Sequence, residues 1–292
     1  MRQRFIIFAI FALALALPSL AQEGQLNSAE PQGISVDEII RRFAAKEKEF
    51  KTARDNYTYR QDVKVQTLDG DTVDGEYHQV VDVTFDDKGR RQERVMFAPQ
   101  STLQRVGMTR EDIDDIQHRL PFVLTSDEIA EYQIMYAGQQ QEDELHCYVF
   151  DVAPKHIEGS KRYFQGRIWV DDHDFQIVKT HGTTEPDIRN GRPVEMNSKK
   201  RGGQENLFPA FTTWREQIDG KYWFPTYTKA DDDLHFTGGD VHIREIVKYT
   251  NYKRFGSNVK ITYEGQELPK GQDQGQAGQQ PGQPQAQRPP QN

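Results

Sequence analysis

Apolar residues change their period along this chain, and the changes mark its elements. Ile39, Ile40, Phe43 and Ala44 recur at helical spacing as far as Phe50, behind a capping box of Ser35 and Glu38. That spacing predicts one amphipathic helix with Lys and Arg on its wet side. From Asn56 the period falls to two. Tyr57, Tyr59, Val63 and Val65 precede a turn at Asp69 and Gly70, residues 77–85 run to a second turn at 86–89, and residues 90–97 make a third strand. Between residues 99 and 138 the β pattern breaks. Thr109 heads a short helix through Ile113 and Ile116, Ser126 heads another through Ile129, and the apolar loop Leu120-Pro121-Phe122-Val123-Leu124 lies between them. Strands resume at residues 145–152.

Two hairpins then dominate the chain. Phe164-Gln165-Gly166-Arg167-Ile168-Trp169-Val170-Asp171 leads into Asp172-His173-Asp174, whose short side chains bond their own backbone and reverse it, and residues 175–180 return. Downstream, residues 211–218 and 221–227 flank Asp219-Gly220, a dipeptide that signals a tight hairpin between β-rich runs. All three tryptophans lie in these hairpins. Residues 241–252 and 259–263 complete the strands.

The hairpins also carry a family resemblance. Gly166-Arg167-Ile168-Trp169-Val170-Asp171 followed by Phe175-Gln176-Ile177-Val178-Lys179 resembles the bacterial outer-membrane lipoprotein-sorting proteins of the LolA/LolB-like superfamily. Phe208-Pro209-Ala210-Phe211 and the run from Arg215 through Gly220 to Pro225 are similar to a divergent periplasmic branch of it. The resemblance implies an α+β, mainly antiparallel fold: an incomplete β-barrel holding helices that cover its open side. The motifs are structural signatures of hairpins and carry no catalytic residue.

Residues 1–21 change the picture from cytoplasm to envelope. Arg2 and Arg4 precede an apolar stretch over 5–17 and the small-residue site Ser19-Leu20-Ala21, the pattern of a secretory signal cleaved after Ala21. The apolar run falls short of the ~20 residues a membrane span needs, so no integral membrane segment is expected after cleavage. No lipid-attachment cysteine follows, unlike the lipid-anchored LolB type. Losing residues 1–21 takes the formal charge from −8 to −10, which disfavours nucleic acid and general attraction to an anionic membrane. The lone Cys147 allows no internal disulfide, and within Leu145-His146-Cys147-Tyr148-Val149-Phe150 it is a small buried hydrophobe. The expected organisation is a polar lead over 22–33, one domain over 34–266, and a Gln/Gly/Pro-rich tail over 267–292 that has nothing to bury.

Catalytic constellations are scarce. Asp171, Asp172, His173, Asp174 and His181, with His146 or His156, offer metal-ligand chemistry, but acids crowded at a hairpin tip are ordinary turn composition. Asp231-Asp232-Asp233 reads as another solvated turn, and Lys199-Lys200-Arg201 as a solvated loop with a possible acidic partner or headgroup. No G-x-S-x-G and no phosphate-cradling glycine pattern occurs. More informative is residues 145–152, apolar on both parities, whereas a one-sided sheet would alternate. A sheet covered on both faces leaves a second sheet or an apolar cavity, and the resemblance favours the cavity. The expectation is therefore a periplasmic, non-enzymatic carrier of lipoprotein acyl chains or lipid, with no cofactor and with envelope transport partners. Tyr148, Phe150, Trp169, Trp214 and Trp223 would line its half-barrel, with Phe122 and Leu124 on a movable lid. An envelope-stress sensor on the same fold is the alternative, and a metal-dependent hydrolase a distant third.

Overall fold

Ser35 stops the extended lead and starts a helix. Its backbone is still extended (φ −82°, ψ 152°) and its Oγ accepts the Glu38 N–H at 3.2 Å, opening α1 (Val36–Arg54). Asp37 and Glu38 in the first turn and Lys51 and Arg54 in the last oppose the helix dipole. The other half of the expected capping box is absent. The Glu38 carboxylate reaches forward to Arg41 and Arg42 instead of back to Ser35. Ile39, Phe43, Ala44, Glu47 and Phe50 form the buried stripe. The structure, a computed structural model, describes residues 23–86, 88–118, 124–157, 162–185, 208–236 and 238–254.

That stripe lies on one face of a single antiparallel sheet. Its strands are β1 (Tyr57–Asp69), β2 (Thr72–Phe85), β3 (Arg91–Phe97), β4 (Tyr132–Glu142), β5 (Leu145–Pro154), β6 (Tyr163–Asp171), β7 (Ile177–Glu185), β8 (Phe211–Ile218), β9 (Tyr222–Phe236) and β10 (Gly239–Arg254). The order is β3-β2-β1-β10-β9-β8-β7-β6-β5-β4. Pairing of β1 with β10 fuses two meanders and leaves β3 and β4 as the two outermost strands, which do not pair with each other, so the sheet stays open. This is the α+β, incomplete-barrel class expected. The hairpin joining β8 and β9 turns at Asp219 (φ 57°) and Gly220 (φ 64°), two left-handed residues in succession, as a type I′ turn requires.

Chain order dictates what covers the open side. Because β3 and β4 are consecutive in sequence and sit at opposite edges, residues 98–131 must bridge the gap. They carry α2 (Arg110–His118) and a 3-10 turn at Ile129–Glu131. Thr109 caps α2 by a reciprocal exchange with Asp112: Thr109 Oγ1 accepts the Asp112 N–H at 3.1 Å and Asp112 Oδ2 accepts the Thr109 N–H at 2.8 Å. Ile116 and Leu124 join the core around Phe43, Phe150 and Phe164, and the Ser126 N–H donates to Ala44 O of α1.

Several boundaries need correction. The helical insertion expected over 99–138 ends before β4, which begins at Tyr132; the Gln-rich run at 139–141 hides a strand of poor intrinsic propensity. Ser126 is not a cap there: the 3-10 turn starts after Glu128 without a side-chain cap, and Glu128 Oε2 instead accepts from the N–H and Oγ1 of Thr125. Asp231, Asp232 and Asp233 lie inside β9 rather than in a turn, because Arg244 and His242 of β10 stand across from them as ion-pair partners. The polar lead is also structural: Gly24 N–H donates to Gln141 O, while Asn27 and Gln139 exchange two backbone bonds at 2.8 Å, so this segment covers the β4 edge. The expected signal over 1–21, the loop at Lys199, the strand at 259–263 and the tail all lie outside the described residues, as does Phe122.

Candidate functional site

The C-terminal turn of α1 does not seal the sheet beneath it. Phe50 of α1, Tyr59 of β1, Phe85 of β2, Phe224 of β9 and Tyr252 of β10 surround a cavity of about 240 Å³. The rings brace one another: Phe50 meets Phe224 edge-on at 5.0 Å, Phe224 lies 4.7 Å from Tyr252, and Tyr252 lies 5.2 Å from Tyr59. Such pairs hold their geometry beyond simple burial. Tyr252 Oη donates to Pro225 O at 2.6 Å, fixing its polar end. Arg54 and Arg91 form the polar side of the cavity. Arg91 is fully committed, donating to Tyr59 Oη, to Gln61 Oε1 and to Glu93. Arg54 is held more loosely, 3.7 Å from Asp55 and 5.5 Å from the Phe85 centroid, and its buried Nε has no hydrogen-bond partner. An aromatic cavity with one underused donor accepts an apolar group that ends in an acceptor.

Elsewhere the inner face carries two buried ionisable features. Glu47 of α1 and Arg215 of β8 pair at 2.9 Å with both side chains 1% exposed. Burial pushes the Glu47 carboxyl up, and the Arg215 guanidinium opposes that. Glu245 of β10 sits within the apolar floor with Oε1 unpaired. Burial, reinforced by Asp112 and Asp115 of α2, raises it to about 8.

The expected lining residues divide between two faces. Phe150 and Leu124 are buried in the inner core beside Phe43, whose ring is 5.5 Å from Phe150, and Tyr148 packs against the same core and stacks on Phe175. Trp169 is on the opposite face with Cys147, Val149 and Val178, and Trp223 packs there too. Trp214 stands beside Tyr227, across from Lys179, in the same cross-strand row as Trp169. Grouping Trp169 with Tyr148 is thus corrected by register: Trp169 is opposite Val149, while Tyr148 is opposite Val170. None of these residues lines the 240 Å³ cavity. Trp169 and Trp214 instead flank Lys179, whose Nζ lies 4.7 Å from the Trp169 centroid and 5.9 Å from that of Trp214 and bonds Glu142 and Glu23. Phe50, Tyr59, Phe224 and Tyr252 were the missed residues: Phe50 and Tyr252 lie near the C-terminal ends of α1 and β10, Tyr59 and Phe224 near the N-terminal ends of β1 and β9.

The hairpin acids serve their turn. Asp171 Oδ2 accepts the N–H groups of Asp174 and His173, and Asp174 accepts from Gln176 and from Trp223 Nε1 at 2.8 Å. His181 bonds Thr212 through Nδ1, and burial lowers its pKa. Among the described residues, no three His, Cys, Asp or Glu side chains are grouped to hold a metal ion. Cys147 is buried, which together with nearby Asp171 pushes its thiol up to about 12.

No family model and no curated protein matches the chain. Among solved structures it is similar to a DUF1329 family protein from Desulfovibrio piger, 13% identical with a TM-score of 0.38, over 75% of this chain and 92% of that one. A LolA superfamily protein from Nitrosomonas europaea is 15% identical with a TM-score of 0.32, over 72% and 94%. An outer membrane lipoprotein-sorting protein domain from Vibrio parahaemolyticus is 12% identical with a TM-score of 0.34, over 76% and 95%. The open ten-stranded antiparallel sheet with its inner helix is the incomplete-barrel architecture that the hairpin resemblance implies.

Proposed function

We propose that this LolA-like chain is a periplasmic, non-enzymatic binding protein that shelters the acyl part of a lipid or lipoprotein. The aromatic cavity beside the α1 C-terminus carries the reading. Its 240 Å³ exceeds the ~150 Å³ of a dry apolar cavity that holds benzene, yet is below the ~300 Å³ of the smallest ordinary ligand pockets. It therefore receives the end of a chain in this conformation. Longer chains require the segment with α2 and Leu124, which lies over the core, to move away from α1. Each methylene buried contributes ~0.8 kcal/mol, so affinity grows with the length admitted. The signal-like pattern of residues 1–21 supports export.

Protein purified without detergent and examined by native mass spectrometry should carry lipid, and should bind a fluorescent fatty acid after delipidation. Phe85→Trp fills the half-buried rim of the cavity and should weaken that probe roughly ten-fold, about two methylenes at ~0.8 kcal/mol each. Protein that is always empty and binds no acyl probe would sink the proposal, as would a Phe85→Trp variant that binds normally.

A further inference from the structure

A groove of about 620 Å³ runs along the outer flank of α1, where two hairpin tips approach the helix. Arg41, Arg42 and Lys46 enter it from α1, His173 from the turn between β6 and β7, and Lys221 from the turn between β8 and β9. The one carboxylate in its walls, Asp174, is already engaged by Trp223 Nε1 and by Gln176. Glu38 holds both Arg41 and Arg42 in place while their side chains remain 70% and 47% exposed. Three cations of α1, Arg41 and Arg42 held by Glu38 and Lys46 by Glu49, thus meet Lys221 of the hairpin turn in one groove of a chain whose formal charge is −8.

Phe175 supplies a second, independent observation. It lies in the groove with φ 58°, the left-handed position that closes the turn between β6 and β7, where the Phe175 N–H donates to Asp171 O. Its ring is covered by the Arg42 guanidinium at 4.9 Å and stacks on Tyr148 of the inner core. A ring below a rim of cations has the layering of an interfacial site, with an apolar body under groups at phosphate level.

We propose that this groove docks the protein on a lipid surface by binding the phosphates of anionic headgroups. Arginine forks suit phosphate oxygens. The groove shares no wall with the aromatic cavity, so the two sites fail or succeed separately.

Co-sedimentation of the full mature chain with vesicles tests it. Wild-type protein should partition onto vesicles containing phosphatidylglycerol, release at high salt, and ignore pure phosphatidylcholine. The exposed pair Arg41→Gln and Lys221→Gln should together lower partitioning roughly 25-fold, about five-fold per cation, since a basic residue near an anionic surface contributes about 1 kcal/mol. Lys46→Gln alone gives an independent five-fold step. Acyl-probe binding should be unchanged in these variants. Equal partitioning onto both vesicle types, or undiminished binding by the double variant, overturns the proposal. Saturable binding of inorganic phosphate without vesicle binding also overturns it, in favour of a free-phosphate site. Retention of an acidic protein partner with no vesicle binding does the same.

Discussion

Removing one partner of the buried pair between α1 and β8 should expose how the helix is fixed to the sheet. Glu47 and Arg215 are each 1% exposed and meet at 2.9 Å, with the guanidinium also near Ile177 O and 5.3 Å from the Phe50 centroid. Glu47→Leu would leave the guanidinium in a dry site without its carboxylate, which costs ~3–5 kcal/mol for comparable pairs. For a domain of this size each kcal/mol is ~2–4 °C in Tm, so a loss of about 6–20 °C is expected. The double variant Glu47→Leu with Arg215→Met replaces the pair by apolar groups and should recover most of that loss, because desolvating two charges offsets much of their attraction. Calorimetry and urea titration of wild type, both single variants and the double variant measure the coupling. A single-variant loss below ~1 kcal/mol, or a double variant as unstable as the two singles added, would refute this account.

Two further perturbations test the inner floor and the covered edge. Glu245 is raised to about 8 in the folded protein, above its unfolded value, so its proton favours folding at low pH. Stability should fall as pH rises from about 4.5 through 8, by up to roughly 5 kcal/mol, and Glu245→Gln should flatten that slope in urea titrations across the range; an unchanged slope would show another group responsible. Gly138 has φ 143° and an added Cβ would lie 2.3 Å from Asn27 O, so Gly138→Ala should displace residues 24–29 from β4. The amides of Gly24, Asn27 and Gln139 should then exchange faster by hydrogen-exchange mass spectrometry, at a cost of ~1–3 kcal/mol, and unchanged protection would contradict the covering role.

Local chemistry made much of this fold legible in the sequence. Ser35, Asp69-Gly70 and Asp219-Gly220 act within a few residues of themselves, and the structure places a helix start and two turns where they stand. The apolar double parity of residues 145–152 is matched by burial on both faces: α1 with Phe43 lies on one side, while on the other Cys147 and Val149 are buried among Trp169, Val178 and Trp223 of the same sheet rather than under a second one. Which aromatic faces which side was not local. It depends on register between β5 and β6, a relation between strands that no single strand encodes. The same limit hid β4, whose glutamines are held as a strand by β5 on one side and by the lead segment on the other. It hid the cavity, whose rings come from α1, β1, β2, β9 and β10 and meet only because β10 pairs with β1. Net charge is a sum that carries no placement. An acidic total disfavours an anionic surface, but folding gathers Arg41, Arg42, Lys46 and Lys221 into one groove, and electrostatic attraction at ~10 Å range responds to that local arrangement rather than to the sum over the chain.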